Sequence, residues 1–407
     1  MLFSQLNLPD FLLANISKLG FTETTEVQEK AIPLAMAGKD IVAQAATGSG
    51  KTLAFLAPVL SQLVGEINAV EKVPAPSALV LVPTRELAMQ VADNAKQLGK
   101  NSGVKCVLAY GGVPLETQQK QLKQGVNLLI ATPGRLLDLL KKRAIRLDKT
   151  TKLIFDEADR MLDMGFADEI RAIIKKLPST RQTSLFSATF NDSLWQFIQT
   201  TLNQPERLVV AHQQQANTNI EEFVYEVDLS KRIGLLETLI NQHQFEQVLV
   251  FSRAKEGADD AVKALQARSV NALAMHGDLS QKQREQNLAD FHANKIKVLV
   301  ATDVAARGID IEQLPCVINL ELPFKVEDYV HRVGRTGRNN HHGTAITFYQ
   351  ASEQGRLLAL ERYLDRRLPV QWYPGFEPDL LAHDAPNIAV SKGRQKQKAR
   401  LAALNKK

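Results

Sequence analysis

Apolar residues along this chain fall into two kinds of pattern. Short unbroken runs of valine, isoleucine, leucine and alanine alternate with longer stretches in which apolar positions recur every three or four residues. The first kind predicts strands buried on both faces and the second predicts helices with one apolar stripe. Their alternation predicts βαβ units built on parallel sheets. Strand candidates in the first half are 40–44, 78–82, 105–109, 127–131, 152–155 and 183–186. In the second half they are 248–251, 272–275, 297–301, 317–320 and 344–348. Between the two series lies 212–219, HQQQANTN, which is polar, lacks apolar periodicity and reads as a linker. The expected fold class is α/β, with two tandem domains, each a parallel β-sheet flanked by helices.

Composition is that of an ordinary globular chain, 44% hydrophobic and 23% charged over 407 residues. Charge adds more. Lys+Arg number 50 against Asp+Glu 44, but residues 391–407 hold seven basic side chains and no acid. The rest carries 43 basic against 44 acidic groups, so a near-neutral body bears a basic tail and has no bulk positive field. No uncharged run exceeds 14 residues, so a membrane span is excluded. The N-terminus lacks a basic region ahead of an apolar one, which argues against a signal peptide. Cys106 and Cys316 sit in apolar strand-like runs and read as buried free thiols of a cytoplasmic protein.

Chemistry enters directly after the first strong strand. Ala45-Ala46-Thr47-Gly48-Ser49-Gly50-Lys51-Thr52 matches the P-loop pattern, with Ala45 where the stricter pattern has glycine. Gly48 and Gly50 let successive backbone N–H groups of Ala46–Thr52 face a phosphate. Lys51 can reach the terminal phosphates and the Thr52 hydroxyl can ligate Mg²⁺. Asp156-Glu157-Ala158-Asp159 follows the strand at 152–155. Asp156 is placed to hold Mg²⁺ through water, and Glu157 to accept a proton from the attacking water. The second half has no such glycine-rich loop, since Ser252-Arg253-Ala254-Lys255 follows its first strand. One nucleotide site for two sheets implies that the second domain completes it. His331-Arg332-Val333-Gly334-Arg335-Thr336-Gly337-Arg338 supplies arginines and glycines suited to phosphate oxygens, the pattern of arginine fingers.

With these residues in hand, the chain resembles the DEAD-box ATP-dependent RNA helicases, a bacterial-type branch of superfamily 2, over roughly residues 1–370. Phe3, Gly20-Phe21 and Gln28 resemble the adenine-recognising Q motif. The P-loop is followed in family order by Pro83-Thr84-Arg85-Glu86-Leu87-Ala88, Gly111-Gly112, Thr132-Pro133-Gly134-Arg135, the Asp156–Asp159 box and Ser187-Ala188-Thr189. The second half adds Phe251-Ser252-Arg253, the run from Ala301 through Thr302, Asp303, Arg307 and Gly308 to Asp310, and the His331 to Arg338 motif. The resemblance implies two RecA-like domains that close over ATP and RNA. It divides the chain into a Q-motif segment (1–29), an ATP-binding domain (30–211), a linker (212–219), a C-terminal helicase domain (220–370) and a basic extension (371–407). It assigns the adenine edge to Gln28, with Phe3 or Phe21 packing nearby, and the ribose to Asp310. Arg335 and Arg338 become fingers, His331 couples the ATP and RNA sites, and Ser187 and Thr189 link hydrolysis to strand separation. Two departures stand out: Thr24 replaces the usual proline of the Q motif, and Asn319-Leu320-Glu321-Leu322-Pro323 replaces the usual Tyr-Asp version.

The same resemblance implies RNA contacts at Pro83, Thr84, Arg85, Gly111, Gly112, Thr132, Pro133, Gly134, Arg135, Ser252, Arg253, Thr302, Asp303, Arg307 and Gly308. Hydroxyl, backbone and guanidinium donors of this kind suit phosphates and sugars, which position a strand without reading its bases. Aromatics amount to only 6% and do not interleave with these motifs, so no base-stacking platform is evident. The residues alone say only "nucleic-acid strand"; single-stranded RNA or a short duplex is what the resemblance adds. The basic tail reads as a salt-sensitive tether to structured RNA or ribonucleoprotein, or as a solvated end.

Overall fold

In a computed structural model of the protein, the described residues are 1–45, 48–64, 74–210, 219–243, 245–306, 311, 314–337 and 342–379. Ala46, Thr47, Arg307, Gly308, Asp310 and Arg338 lie outside them, with 212–218 of the linker and the basic tail. The chain forms two compact units that divide between residues 213 and 214.

The first unit is built on seven strands: β1 (Ile41–Gln44), β2 (Ala78–Leu81), β3 (Cys106–Ala109), β4 (Leu128–Ala131), β5 (Lys152–Asp156), β6 (Gln182–Ser187) and β7 (Glu206–Val209). They lie in the order β3-β4-β2-β5-β6-β1-β7, every pair parallel. The central strands read ALVL and LLIA and are buried throughout, because helices cover both faces. On one face the helix Lys51–Leu63 packs Leu53, Phe55, Leu56 and Leu60 into a core shared with the helix Arg85–Leu98. The N-terminal segment belongs to that core, contributing Phe3, Leu6, Leu12 and Ile16.

The second unit also has seven strands: β8 (Ile220–Glu226), β9 (Val248–Ser252), β10 (Ala272–Met275), β11 (Val298–Thr302), β12 (Cys316–Asn319), β13 (Gly343–Tyr349) and β14 (Val370–Gln371). Their order, β10-β11-β9-β12-β13-β8-β14, is again all parallel. Every strand predicted from apolar runs is present to within two residues at either end. The structure adds β7, β8 and β14. β8 reads IEEFVYE, and its acids hide it from a search for apolar runs. In the fold Glu222 meets Arg366 at 2.6 Å and the Tyr329 hydroxyl at 3.3 Å, and Glu226 accepts from the Trp372 indole at 2.9 Å. Residues 371–379, placed by sequence in an extension, pack on this unit. Tyr373 stacks edge-on to Tyr225, and the Lys231 ammonium donates to the Glu377 carbonyl at 2.5 Å.

Both cysteines are free thiols. Cys316 is fully buried in β12, whereas Cys106 is half-buried on the edge strand β3, so the expectation of two buried thiols holds for one. Burial still pushes the Cys106 thiol up to about 12.

Candidate functional site

Because all strands are parallel, their carboxyl ends open on one edge of each sheet, where α/β folds bind ligands. In the first unit that edge divides in two. Loops following the adjacent strands β5, β6 and β1 carry the candidate phosphate chemistry. Those following β3, β4 and β2 carry the candidate strand contacts.

At the phosphate half, Gly48 and Gly50 have φ of 77° and 89°, left-handed conformations that glycine adopts without a Cβ penalty. Gly50 leads into the helix Lys51–Leu63, whose N-terminal N–H groups and dipole favour an anion. Gln28 is buried beside this loop. Its amide donates to the Gly50 carbonyl at 3.1 Å and its oxygen accepts from the Thr25 N–H at 2.9 Å. A Cβ on Gly50 would lie 2.3 Å from that Gln28 nitrogen, so the two residues require each other's geometry. One amide hydrogen and one lone pair of Gln28 remain for a ligand. Of the two aromatics expected near the base, Phe3 is in the core and Phe21 is 50% exposed.

Lys51 is only 7% exposed, and its ammonium has no hydrogen-bond partner among the described residues. Asp156, at the end of β5 and 3% exposed, leaves Oδ1 unpartnered. Burial pushes the Asp156 carboxyl up to about 7, against the pull of the Lys51 ammonium and with a push from Glu157. Glu157 takes a left-handed backbone (φ 54°, ψ 51°) to begin the helix Ala158–Asp163. Its Oε2 lies 3.5 Å from the Arg160 guanidinium. Buried polar atoms without partners are costly and uncommon, and here a cation and carboxylates share one place beside a glycine loop. That donor set fits a polyphosphate with its magnesium. Among the described residues no group of three or more His, Cys, Asp or Glu could hold a metal ion.

Asp159 ties this half to β6. Its Oδ2 accepts from the Thr189 hydroxyl at 2.6 Å and the Thr189 N–H at 3.1 Å, and the Ser187 hydroxyl donates to the Thr189 carbonyl at 2.8 Å. At the other half, the Arg85 guanidinium lies over the Tyr110 ring, 4.9 Å from its centroid, beside the exposed Gly111 and Gly112. Pro83 and Thr84 are buried, and the Thr84 hydroxyl caps the helix Arg85–Leu98 by accepting from Leu87. Thr132 and Pro133 are buried, while Gly134 and Arg135 are half-buried at the start of the helix Pro133–Lys141. Arg135 donates to the Val113 carbonyl and to Gln118, both at 2.9 Å, and Gln118 donates to the Tyr110 carbonyl at 2.9 Å.

In the second unit the most buried charge is Arg332, 1% exposed. It forks onto both Asp303 oxygens at 2.5 and 2.6 Å, donates to Asn319 at 3.1 Å and to the Glu321 carbonyl at 2.9 Å, and lies over the Phe251 ring. Asp303, grouped by sequence with the RNA contacts, thus gives its carboxylate to Arg332. Ser252 is fully buried and Thr302 nearly so. Arg335 is buried and His331 half-buried. Gly337 has φ 67°, and a Cβ there would lie 2.2 Å from the Ile220 side chain.

Residues 25–197 match the family model for DEAD/DEAH box helicases, and 231–340 that for the helicase conserved C-terminal domain. The chain is similar to the ATP-dependent RNA helicase CshA of Listeria monocytogenes, at 40% identity over 91% of this chain and 70% of the relative. It is similar in fold to S. cerevisiae Dbp5 bound to RNA and ADP BeF3, with TM-score 0.80 and 29% identity over 91% of this chain and 95% of that one. A DEAD box protein from Methanococcus jannaschii gives TM-score 0.52 at 38% identity, covering 91% and 99%. The chain belongs to the DEAD-box ATP-dependent RNA helicases.

For this DEAD-box chain, sequence reasoning passed over Asp159, Gln118 and Arg332 as site residues. Asp159 stood inside the quoted box but carried no role. Gln118 gives no local signal, since only the Tyr110 and Val113 carbonyls across the loop reveal its use. The two departures from the family pattern also find partners. Thr24 donates its N–H and hydroxyl to the Met1 carbonyl at 2.8 and 2.9 Å, and a proline could supply neither. Asn319 bridges Arg332 to the Thr347 hydroxyl at 2.9 Å, and Glu321 accepts from the Arg253 N–H at 3.0 Å.

Proposed function

We propose that this chain hydrolyses ATP to drive local unwinding of short RNA duplexes or remodelling of RNA–protein complexes, as an RNA-stimulated ATPase. The observation that carries the reading is the buried Lys51–Asp156 pair beside the glycine loop, with unmatched polar atoms on both sides. Lys51 and the N–H groups of Ala46–Thr52 bind and neutralise the phosphates. Gln28, with Phe3 or Phe21, holds the adenine, and Asp310 the ribose. When bound, Mg²⁺, held by Thr52 and by Asp156 through water, supplies charge neutralisation at the phosphate oxygens. Glu157 orients the attacking water and receives its proton, and Arg335 and Arg338 stabilise charge on the transferred phosphoryl group. His331, Ser187 and Thr189 couple this chemistry to RNA. The Thr189–Asp159 hydrogen bonds support that role by joining the β6 loop to the acidic box.

RNA is held through its backbone by the loops after β2, β3 and β4 and by Arg253, Thr302, Arg307 and Gly308, without base selection by these groups, whereas the fully buried Ser252 gives its hydroxyl to the Ala254 carbonyl at 3.1 Å. For Lys392, Arg394, Lys396, Lys398, Arg400, Lys406 and Lys407 the proposal is a salt-sensitive tether to structured RNA or ribonucleoprotein, with a solvated end as the other reading. The deciding experiment pairs ATPase and duplex-unwinding assays on the unaltered protein and on Glu157→Gln. Turnover should depend on RNA and fall by about 10²–10⁴ in the variant, while the variant retains RNA in an ATP-dependent complex. Rapid hydrolysis by Glu157→Gln would remove Glu157 from the base role. Hydrolysis indifferent to RNA would remove the helicase reading.

A further inference from the structure

Phe324 stands in the loop after β12 and is 68% exposed, the largest exposure among the bulky apolar side chains described. Single exposed aromatics are ordinary. This one is flanked by two guanidinium groups, of Arg253 and Arg356, each centred 5.3 Å from the ring centroid. Glu353 fixes both arginines: Arg253 Nη1 lies 2.9 Å from Oε1 and Arg356 Nη1 3.7 Å from the same oxygen. Glu321 also holds Arg253, accepting from its backbone N–H at 3.0 Å and lying 3.8 Å from Nε. Both guanidinium groups over the ring thus have carboxylate neighbours.

Their place in the sheet suggests the ligand. β9 lies between β11 and β12, so the Phe324 loop neighbours the end of β9 that carries Ser252 and Arg253. Arg253 is expected to grip a phosphate, yet its donors already face Glu353 and Glu321. Beside those two acids stand Arg253, Arg356 and Arg232, so the cluster keeps an excess of positive charge. An exposed π-face in a positive field suits a base whose phosphates pass nearby. We propose that Phe324, with Arg253 and Arg356, forms a stacking shelf for one unpaired base of the bound RNA strand. The shelf rests on the helicase reading above, and it adds base contact to a site otherwise read as backbone-only.

The test measures binding of a fluorescein-labelled oligouridine strand, and of the same strand made abasic, in the presence of ADP and beryllium fluoride. Phe324→Ala should weaken the base-bearing strand by about 5- to 150-fold, the range for loss of one base–aromatic stack. It should leave the abasic strand unchanged, and Phe324→Tyr should keep the unaltered affinity. Equal weakening of both strands, or of neither, overturns the shelf. With the unaltered protein, a 4-thiouridine strand should crosslink to the peptide containing Phe324, and absence of that adduct also overturns it. If the unaltered protein binds the abasic strand as well as the natural one, the shelf alone fails. If it binds neither strand, the helicase reading fails too.

Discussion

Lys51 begins the helix after β1, and Arg232 begins the helix Arg232–Gln242 after β8, the strand at the same place in the second sheet's order. Both cations are buried. Lys51 follows a loop with two left-handed glycines, and its ammonium has no hydrogen-bond partner among the described residues. Arg232 follows Val227–Lys231, which has no glycine and forms a 3₁₀ turn over Leu229–Lys231. Its guanidinium lies 3.0 Å from Glu353 and 3.8 Å from Glu321, the latter in the loop after β12. β12 in turn corresponds to β5, which ends in Asp156 with its unmatched oxygen. One topology thus carries two electrostatic solutions. At Arg232 the chain supplies two carboxylates, although Nε and Nη1 keep no hydrogen-bond partner among the described residues. At Lys51 the counter-charge is Asp156, yet both keep a polar atom with no hydrogen-bond partner among the described residues, a cost that a ligand can offset.

That contrast can be broken experimentally. If the second unit serves the first one's site through Arg335, then Arg335→Ala should lower RNA-stimulated turnover by about 10³–10⁵, measured as kcat at saturating ATP and RNA. A loss below tenfold would leave each unit on its own. Arg332→Met tests the scaffold side. It strands Asp303 and Asn319, and should cost about 3–5 kcal/mol, seen in denaturant unfolding followed by fluorescence. Lys51→Met tests the ligand side. Turnover should drop by about 10²–10³, while unfolding stability falls by less than for Arg332→Met, because the Lys51 ammonium makes no hydrogen bond to a described residue. A large stability loss there would mean that Lys51 is structural. The smallest effect belongs to the Q-motif departure. Thr24→Val removes one exposed hydrogen bond to Met1 and should cost about 0.5 kcal/mol, read from the same unfolding curves.

Much of the fold was legible because its strands are buried on both faces and so read as unbroken apolar runs. β8 escaped because its acids find partners that lie far away in sequence, and β14 because it is only two residues long. Glu226 is paired by Trp372, and Glu222 by Arg366. β7 escaped because it is a mostly exposed edge strand and needs no apolar run. The left-handed glycines and the helix start at Lys51 were legible, since glycines, a lysine and an apolar helix pattern are consecutive along the chain.

By itself the sequence determined the two-domain α/β plan, the family and the residue types at each motif, because these depend on local periodicity and on contiguous spacing. Only the tertiary structure decided which charges stand alone. Lys51 and Asp156 lie about a hundred positions apart, as do Thr24 and Arg135, and nothing in the distance between either pair says which faces a partner. Sheet order brings Glu353 and Glu321 to Arg232, and Asp303 to Arg332, whereas Lys51 and Asp156 come together with polar atoms left unmatched among the described residues. Pairing is a property of neighbours in space, and in a parallel sheet those neighbours come from strands far apart in the chain.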